Sequence, residues 1–175
     1  MAEDVIAYSL YDYPEIRELA HGVKHGNEDS IRCAADMMCG MLKRLPTKDA
    51  IIVPMAGHFG MAQYTMDIAQ RVADRMGMEC IDGLQTEPHK PLYDLKRKQP
   101  NRLVHLPHFS LTEGMEKGKA EFLTDNSKHI YVIDNVIDMG ITAMAAMKAF
   151  GREINLLTLG HTDNHHCLPI RLQRV

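Results

Sequence analysis

Tryptophan is absent, and four Phe stand against thirteen Met. Flexible thioethers, rather than large aromatic rings, must therefore fill much of the interior. The four cysteines, Cys33, Cys39, Cys80 and Cys167, contain no CxxC pair and follow no regular spacing. That excludes a disulfide framework and predicts reduced, mostly buried thiols. There is no surplus of charge of one sign: 20 basic residues face 23 acidic ones, for a net charge of -3. A nucleic-acid binder working by bulk phosphate neutralisation is excluded, which leaves only a local basic patch. No apolar run approaches the ~20 residues that span a bilayer. The opening Met1-Ala2-Glu3-Asp4 is acidic where a signal peptide is basic. The expectation is a cytoplasmic protein with no membrane partner. Repeats, low-complexity stretches and Ser/Gly/Pro-rich linkers are also missing, so residues 1–175 are expected to form a single domain that needs neither disulfide nor metal to hold its core.

What is present is an alternation of helix-like and strand-like segments. Residues 1–47 read as an N-terminal helical segment. Pro14 suits the first turn of a short helix that fades near Gly22 or Gly26, preceded by Tyr8, Tyr11 and Tyr13, which either pack amphipathically or form a hood over a ligand. Asn27 can cap a second helix, with Glu28 and Asp29 in its first turn and Ile31, Ala34, Ala35, Met38, Met41, Leu42 and Leu45 at 3.6-residue spacing until Pro46. Residues 50–54 are a short apolar run, as a strand buried on both faces should be, followed by a glycine-bearing loop at 55–60 and a helix that stops near Gly77. A second strand is expected over 79–84. Residues 85–128 are interrupted by Pro88, Pro91, Pro100, Pro107 and Gly114 and carry Lys96-Arg97-Lys98 and Arg102. This excursion exceeds an ordinary connection, which favours a mobile functional loop or hairpin, with 103–106 as one of its strands. The basic residues fit either a solvated face or a closing loop. Strand 130–133, a polar turn 134–140, a helix 143–150 and a strand 154–159 complete a three-layer α/β domain with a largely parallel sheet.

Ligands of such sheets sit beyond the carboxyl ends of the strands. In Ile130-Tyr131-Val132-Ile133-Asp134-Asn135-Val136-Ile137-Asp138-Met139-Gly140-Ile141-Thr142, an apolar strand runs into an acidic-polar pair and an Asp-x-Gly-x-Thr turn that opens a helix. Backbone N–H groups of Met139, Gly140, Ile141 and Thr142 and the Thr142 hydroxyl would suit a phosphate monoester, and Gly140 would let the anion approach. Asp134 could accept hydrogen bonds from ribose hydroxyls directly or through a magnesium-bound water, with Asp138 close by. Gly57 and Gly60 fit either a simple tight turn or an anion loop.

This segment resembles the phosphoribosyl-diphosphate-binding motif of type I phosphoribosyltransferases. From about Asp49 to Thr162 the order of elements is similar to the competence-associated branch of that superfamily. The resemblance implies a phosphoribosyltransferase fold and a reaction: magnesium-dependent transfer of a 5-phosphoribosyl group between pyrophosphate and a nitrogenous base or related small nucleophile. It implies that Asp134 faces the ribose and binds the metal, that Asn135 holds the second acidic position, and that Asp138, Met139, Gly140, Ile141 and Thr142 form the 5-phosphate loop. Ala56, Gly57 and His58 then correspond to the pyrophosphate loop, and Lys96 lies in the flexible loop that closes over the reacting centre. A homodimer is also implied. Two positions depart from the pattern: Asn135 stands where a second acid is usual, and Met139 where Thr or Ser is common. A catalytically weak or inactive module that binds a phosphoribosyl or nucleotide ligand for regulation is therefore the alternative function. A third reading rests on His161, His165, His166 and Cys167, which suggest either a metal-dependent hydrolase or redox site or an incidental polar tail.

Overall fold

The computed structural model describes residues 5–91, 94, 108–138, 140–163 and 170–175. It is a three-layer α/β structure with a central sheet of seven strands. The chain opens with β1 (Val5–Asp12), α1 (Tyr13–Lys24) and α2 (Glu28–Leu42), then β2 (Ala50–Pro54), α3 (Tyr64–Met76) and β3 (Glu79–Cys80). A hairpin pair, β4 (Leu84–Thr86) and β5 (Phe109–Leu111), is followed by two short helices, α4 (Glu113–Gly118) and α5 (Ala120–Thr124). The remainder is β6 (His129–Ile133), β7 (Val136–Ile137), α6 (Ile141–Phe150), β8 (Ile154–His161) and β9 (Ile170–Arg174).

The strands run in the order β3-β2-β6-β8-β1-β9, with β7 beside the end of β8, and every pairing in this sheet is parallel. Successive side chains of a strand point to opposite faces, so the apolar runs feed two cores. Ile51, Val53, Ile130, Val132 and Leu156 pack with α6, Met115 and Phe122. Ile52, Tyr131, Ile133, Leu157 and Leu159 pack with α1, α2 and α3. Burial on both faces explains why these strands read as continuous apolar stretches rather than as alternation.

The second helix follows its sequence signals closely. The Asn27 side chain accepts from the Ser30 amide at 2.9 Å, Glu28 and Asp29 lie in the first turn, and Ile31, Ala34, Ala35, Met38, Met41 and Leu42 are buried. Two expectations need correction. The opening of the chain is not wholly helical: Val5–Asp12 forms a strand inserted between β8 and β9. The strand expected over 79–84 is two strands in different sheets. Thr112 draws the chain off the sheet edge, its hydroxyl donating to the Asp82 carbonyl at 2.7 Å and its amide to the Gly83 carbonyl at 3.0 Å. The 85–128 excursion accordingly begins in a hairpin strand and contains α4 and α5, while the strand expected at 103–106 lies outside the described residues. Among the described residues, no helix is long and apolar enough to cross a membrane.

Arg152 fastens the entry of β8 to the turn between α5 and β6. Its guanidinium donates to the carbonyls of Phe122 at 2.6 Å, Asp125 at 2.8 Å and Lys128 at 2.9 Å. A planar fork serves three acceptors that a lysine cannot reach together. Arg152→Ala is expected to cost about 2 kcal/mol in urea unfolding, with Arg152→Lys recovering less than half of it.

Candidate functional site

From β2 the chain moves outward to β3, and from β6 it moves the other way to β8. Parallel crossovers share one hand, so opposite directions of travel place α3 and α6 on opposite faces of the sheet, as their separate cores show. The loops leaving β2 and β6 therefore part above the sheet, and the crevice expected at such a switch point is the position at which open α/β sheets bind ligands.

One wall of this crevice is the β2–α3 loop. Met55 donates its amide to the Ile133 carbonyl at 2.9 Å and accepts at its own carbonyl from the buried Thr65 hydroxyl at 2.7 Å. Within the loop, Gly57 N donates to Met61 O at 2.9 Å and Gly60 N to Gly57 O at 3.0 Å. The Gly57 amide, one of those expected to face an anion, is thus spent on the loop itself. Ala56 is buried, and its amide has no partner among the described residues. His58 is half-buried; its carbonyl accepts from the His89 amide at 2.8 Å, and its ring lies against that of Phe59.

The opposite wall is the turn after β6. Asp134 N donates to Leu157 O at 3.0 Å, and the Asp134 carboxylate accepts from the Asn135 amide at 2.8 Å. Burial pushes the Asp134 carboxyl up to about 6, the Asn135 amide opposing only part of that rise. Asn135 turns away: its buried side chain donates to the Ala20 carbonyl of α1 at 2.9 Å. Asp138 accepts from the Thr162 hydroxyl at 2.7 Å, which ties the turn to the end of β8. Gly140 then adopts φ 78, a left-handed conformation suited to glycine, and caps α6. Intrahelical bonding starts at Met144 N, so the amides of Ile141 and Thr142 are open donors with no acceptor among the described residues. Lys96 and Met139 lie outside the described residues.

The fold also brings up residues that the sequence did not single out. Tyr64, the first residue of α3, is half-buried; burial and the nearby Asp134 carboxylate push its phenol up. Asp82, just past the carboxyl end of β3, is half-buried with one carboxylate oxygen lacking a partner among the described residues, and burial raises it too. Neither has a local motif; each depends on which strands become neighbours.

Among the described residues, the side chains around this turn form no cluster of carboxylates that would hold a cation by itself. Asp138 serves Thr162, Asn135 is turned towards α1, and no group of three or more His, Cys, Asp or Glu among the described residues could hold a metal ion. Nor does His161 stand free to open a C-terminal metal cluster. Buried, it joins the Ser9 hydroxyl at 3.0 Å to Asp12 at 3.1 Å, and Arg174 also donates to Asp12. This chain of polar groups links β1, β8 and β9; His165, His166 and Cys167 lie outside the described residues.

No family model and no curated protein sequence matches the chain.

Proposed function

We propose that the crevice between the ends of β2 and β6 binds a sugar phosphate and that the protein transfers a 5-phosphoribosyl group between pyrophosphate and a nitrogenous base, on a type I phosphoribosyltransferase-like fold. The observation that carries this reading is the start of α6: open amides at Ile141 and Thr142, a left-handed Gly140 before them, and a carboxyl at Asp134 where the preceding strand ends. Open amides and the positive end of the helix dipole favour a phosphate monoester. At neutral pH most of Asp134 is ionised, and it would accept hydrogen bonds from ribose hydroxyls. As the bond from C1 to pyrophosphate lengthens, positive charge grows on the sugar and negative charge on the leaving group. Donors fixed in place before the reaction, including the Ala56 amide, stabilise that separation most. Magnesium would enter bound to the diphosphate and neutralise its charge, while Asp134 is held to the ribose hydroxyls.

Pyrophosphate release from phosphoribosyl diphosphate, measured with a panel of purine, pyrimidine and nicotinamide-type acceptors, tests transfer. Calorimetry with phosphoribosyl diphosphate tests the site. Gly140→Ala, which strains the left-handed turn that presents the Ile141 and Thr142 amides, is expected to weaken binding about tenfold or more. Unaltered binding in that variant would refute the placement of the phosphate.

A second reading, a module that binds the ligand without turnover, is favoured by the Gly57 amide closed within its own loop and by Asn135 turned towards α1. Tight binding of phosphoribosyl diphosphate with no pyrophosphate released in the presence of any acceptor would decide for it.

A further inference from the structure

β9 forms one edge of the sheet and, among the described residues, pairs with β1 alone. None of its five residues is buried; Ile170 and Leu172 only partly join the core. An edge strand so lightly packed opens at small cost unless polar contacts fasten it. Here one carboxylate oxygen does so. The Arg174 guanidinium donates to Asp12 Oδ1 at 2.5 Å, and His161 Nε2 lies 3.1 Å from the same atom. The hydrogen bond from Arg174 holds the Asp12 carboxyl below the usual carboxylate range, so it meets both partners as an anion. Because an ionised carboxylate only accepts, a proton sits on His161 Nε2, and Nδ1 is left to the Ser9 hydroxyl at 3.0 Å. Arg174 and Asp12 are open to water, whereas His161 and Ser9 are buried. The network therefore leads from the surface of β9 into the interior.

On the other side of β8 the same residues meet the turn that opens α6. Gly160 and His161 lie between Tyr11 and Asp12 of β1 and Val136 and Ile137 of β7. Thr162, the next residue, holds the turn twice: its amide donates to the Ile137 carbonyl at 3.0 Å and its hydroxyl to the Asp138 carboxylate at 2.7 Å. Asp138 stands two residues before Gly140, whose carbonyl accepts from the Met144 amide at 3.0 Å, the first bond of α6. His161 and Thr162 share one planar peptide. In a close-packed interior a shift of the first displaces the second, because there is no slack to absorb it.

We propose that docking of the C-terminal strand regulates the sugar-phosphate site: Arg174 on Asp12 fixes His161, His161 fixes Thr162, and Thr162 sets the turn that presents the Ile141 and Thr142 amides. Lifting β9 loosens that turn from the far side of the sheet. The ligand that feels this rests on the sugar-phosphate reading; the coupling itself does not.

Amide hydrogen exchange of the full chain, read by NMR at residues 144 and 162, measures the coupling without any ligand. The Arg174 side chain is 62% exposed, so its truncation spares the core. Arg174→Ala should speed exchange at both amides at least about fivefold, with the buried Ile68 and Ala69 of α3 unchanged. Arg174→Lys, which keeps a cation for the one Asp12 oxygen, should retain most of the protection. Thr162→Val removes the hydroxyl that holds Asp138, and in that background Arg174→Ala should add nothing at residue 144. Calorimetry with phosphoribosyl diphosphate should show Arg174→Ala binding about fivefold or more weakly than the wild type. Unchanged exchange at residue 144, effects of the two substitutions that simply add, no recovery with Arg174→Lys, or an affinity equal to the wild type's would each overturn the proposal. A wild-type chain that does not bind phosphoribosyl diphosphate would instead refute the sugar-phosphate reading, and the exchange rates would still decide the coupling.

Discussion

Asp134→Asn is expected to make the protein more stable at neutral pH while weakening its hold on a phosphoribosyl ligand. Burial raises the carboxyl to about 6, whereas in the unfolded chain it titrates near ~3.9. The folded state therefore holds the proton more tightly, and folding is penalised as pH rises through the window from about 4 to about 6. Each pKa unit corresponds to about 1.4 kcal/mol, and partial access of water to this half-buried group brings the expected gain on neutralisation to about 2 kcal/mol. Asparagine keeps an oxygen for the Asn135 amide, now bonded at 2.8 Å, so the turn should persist. Urea unfolding of both proteins should show a stability gap at pH 7 that closes as the pH approaches 4. A gap of constant size across that range would mean that packing, not ionisation, sets it. Binding of phosphoribosyl diphosphate should fall about tenfold or more, because a hydrogen bond to a charged group contributes about 1.5–3 kcal/mol. Stability and affinity moving in opposite directions is the signature of a buried group retained for a ligand.

A larger change, and a loss, of stability is expected at Tyr131, the largest fully buried side chain among the described residues. It lies in the middle of β6, packed with the helices α1–α3, and its hydroxyl donates to the Pro46 carbonyl at 2.6 Å. Burial, with Tyr8 nearby, pushes its phenol up to about 12, so it stays neutral and a hydrogen-bond donor. Tyr131→Ala removes the ring and leaves a void between well-packed layers, at an expected cost of about 4 kcal/mol. Tyr131→Phe removes only the hydroxyl, and because Pro46 is exposed water can serve its carbonyl; the expected cost is about 1 kcal/mol. Chemical denaturation measures both. Equal losses would show that the bond to Pro46, and not the ring, holds β6 in place.

Legibility in the sequence followed the range over which each signal acts. The cap of α2, the glycine stop of α3 at Gly77, with φ 63, and the turn into α6 are all set by neighbours within a few residues, and each could be read directly. The apolar run over β2 announced a strand covered on both sides. β1 was harder: Val5, Ala7 and Ser9 alternate with Ile6, Tyr8 and Leu10, a pattern also open to a helical reading beside Pro14. Its place between β8 and β9 depends on partners some 150–165 positions away. The division of residues 79–86 between two sheets likewise depends on Thr112, far along the chain.

The amino-acid order by itself determined α2, α3, β2, β6, α6 and β8 as helix or strand and placed a glycine at the head of α6, because those outcomes depend on local backbone freedom, capping and periodic burial. Only the tertiary structure decided that β2 and β6 lie side by side, that Tyr64 comes near Asp134 and that Asn135 faces α1. Those outcomes depend on long-range strand pairing and on which polar group reaches a partner first as the layers close, and no short stretch of sequence encodes that competition.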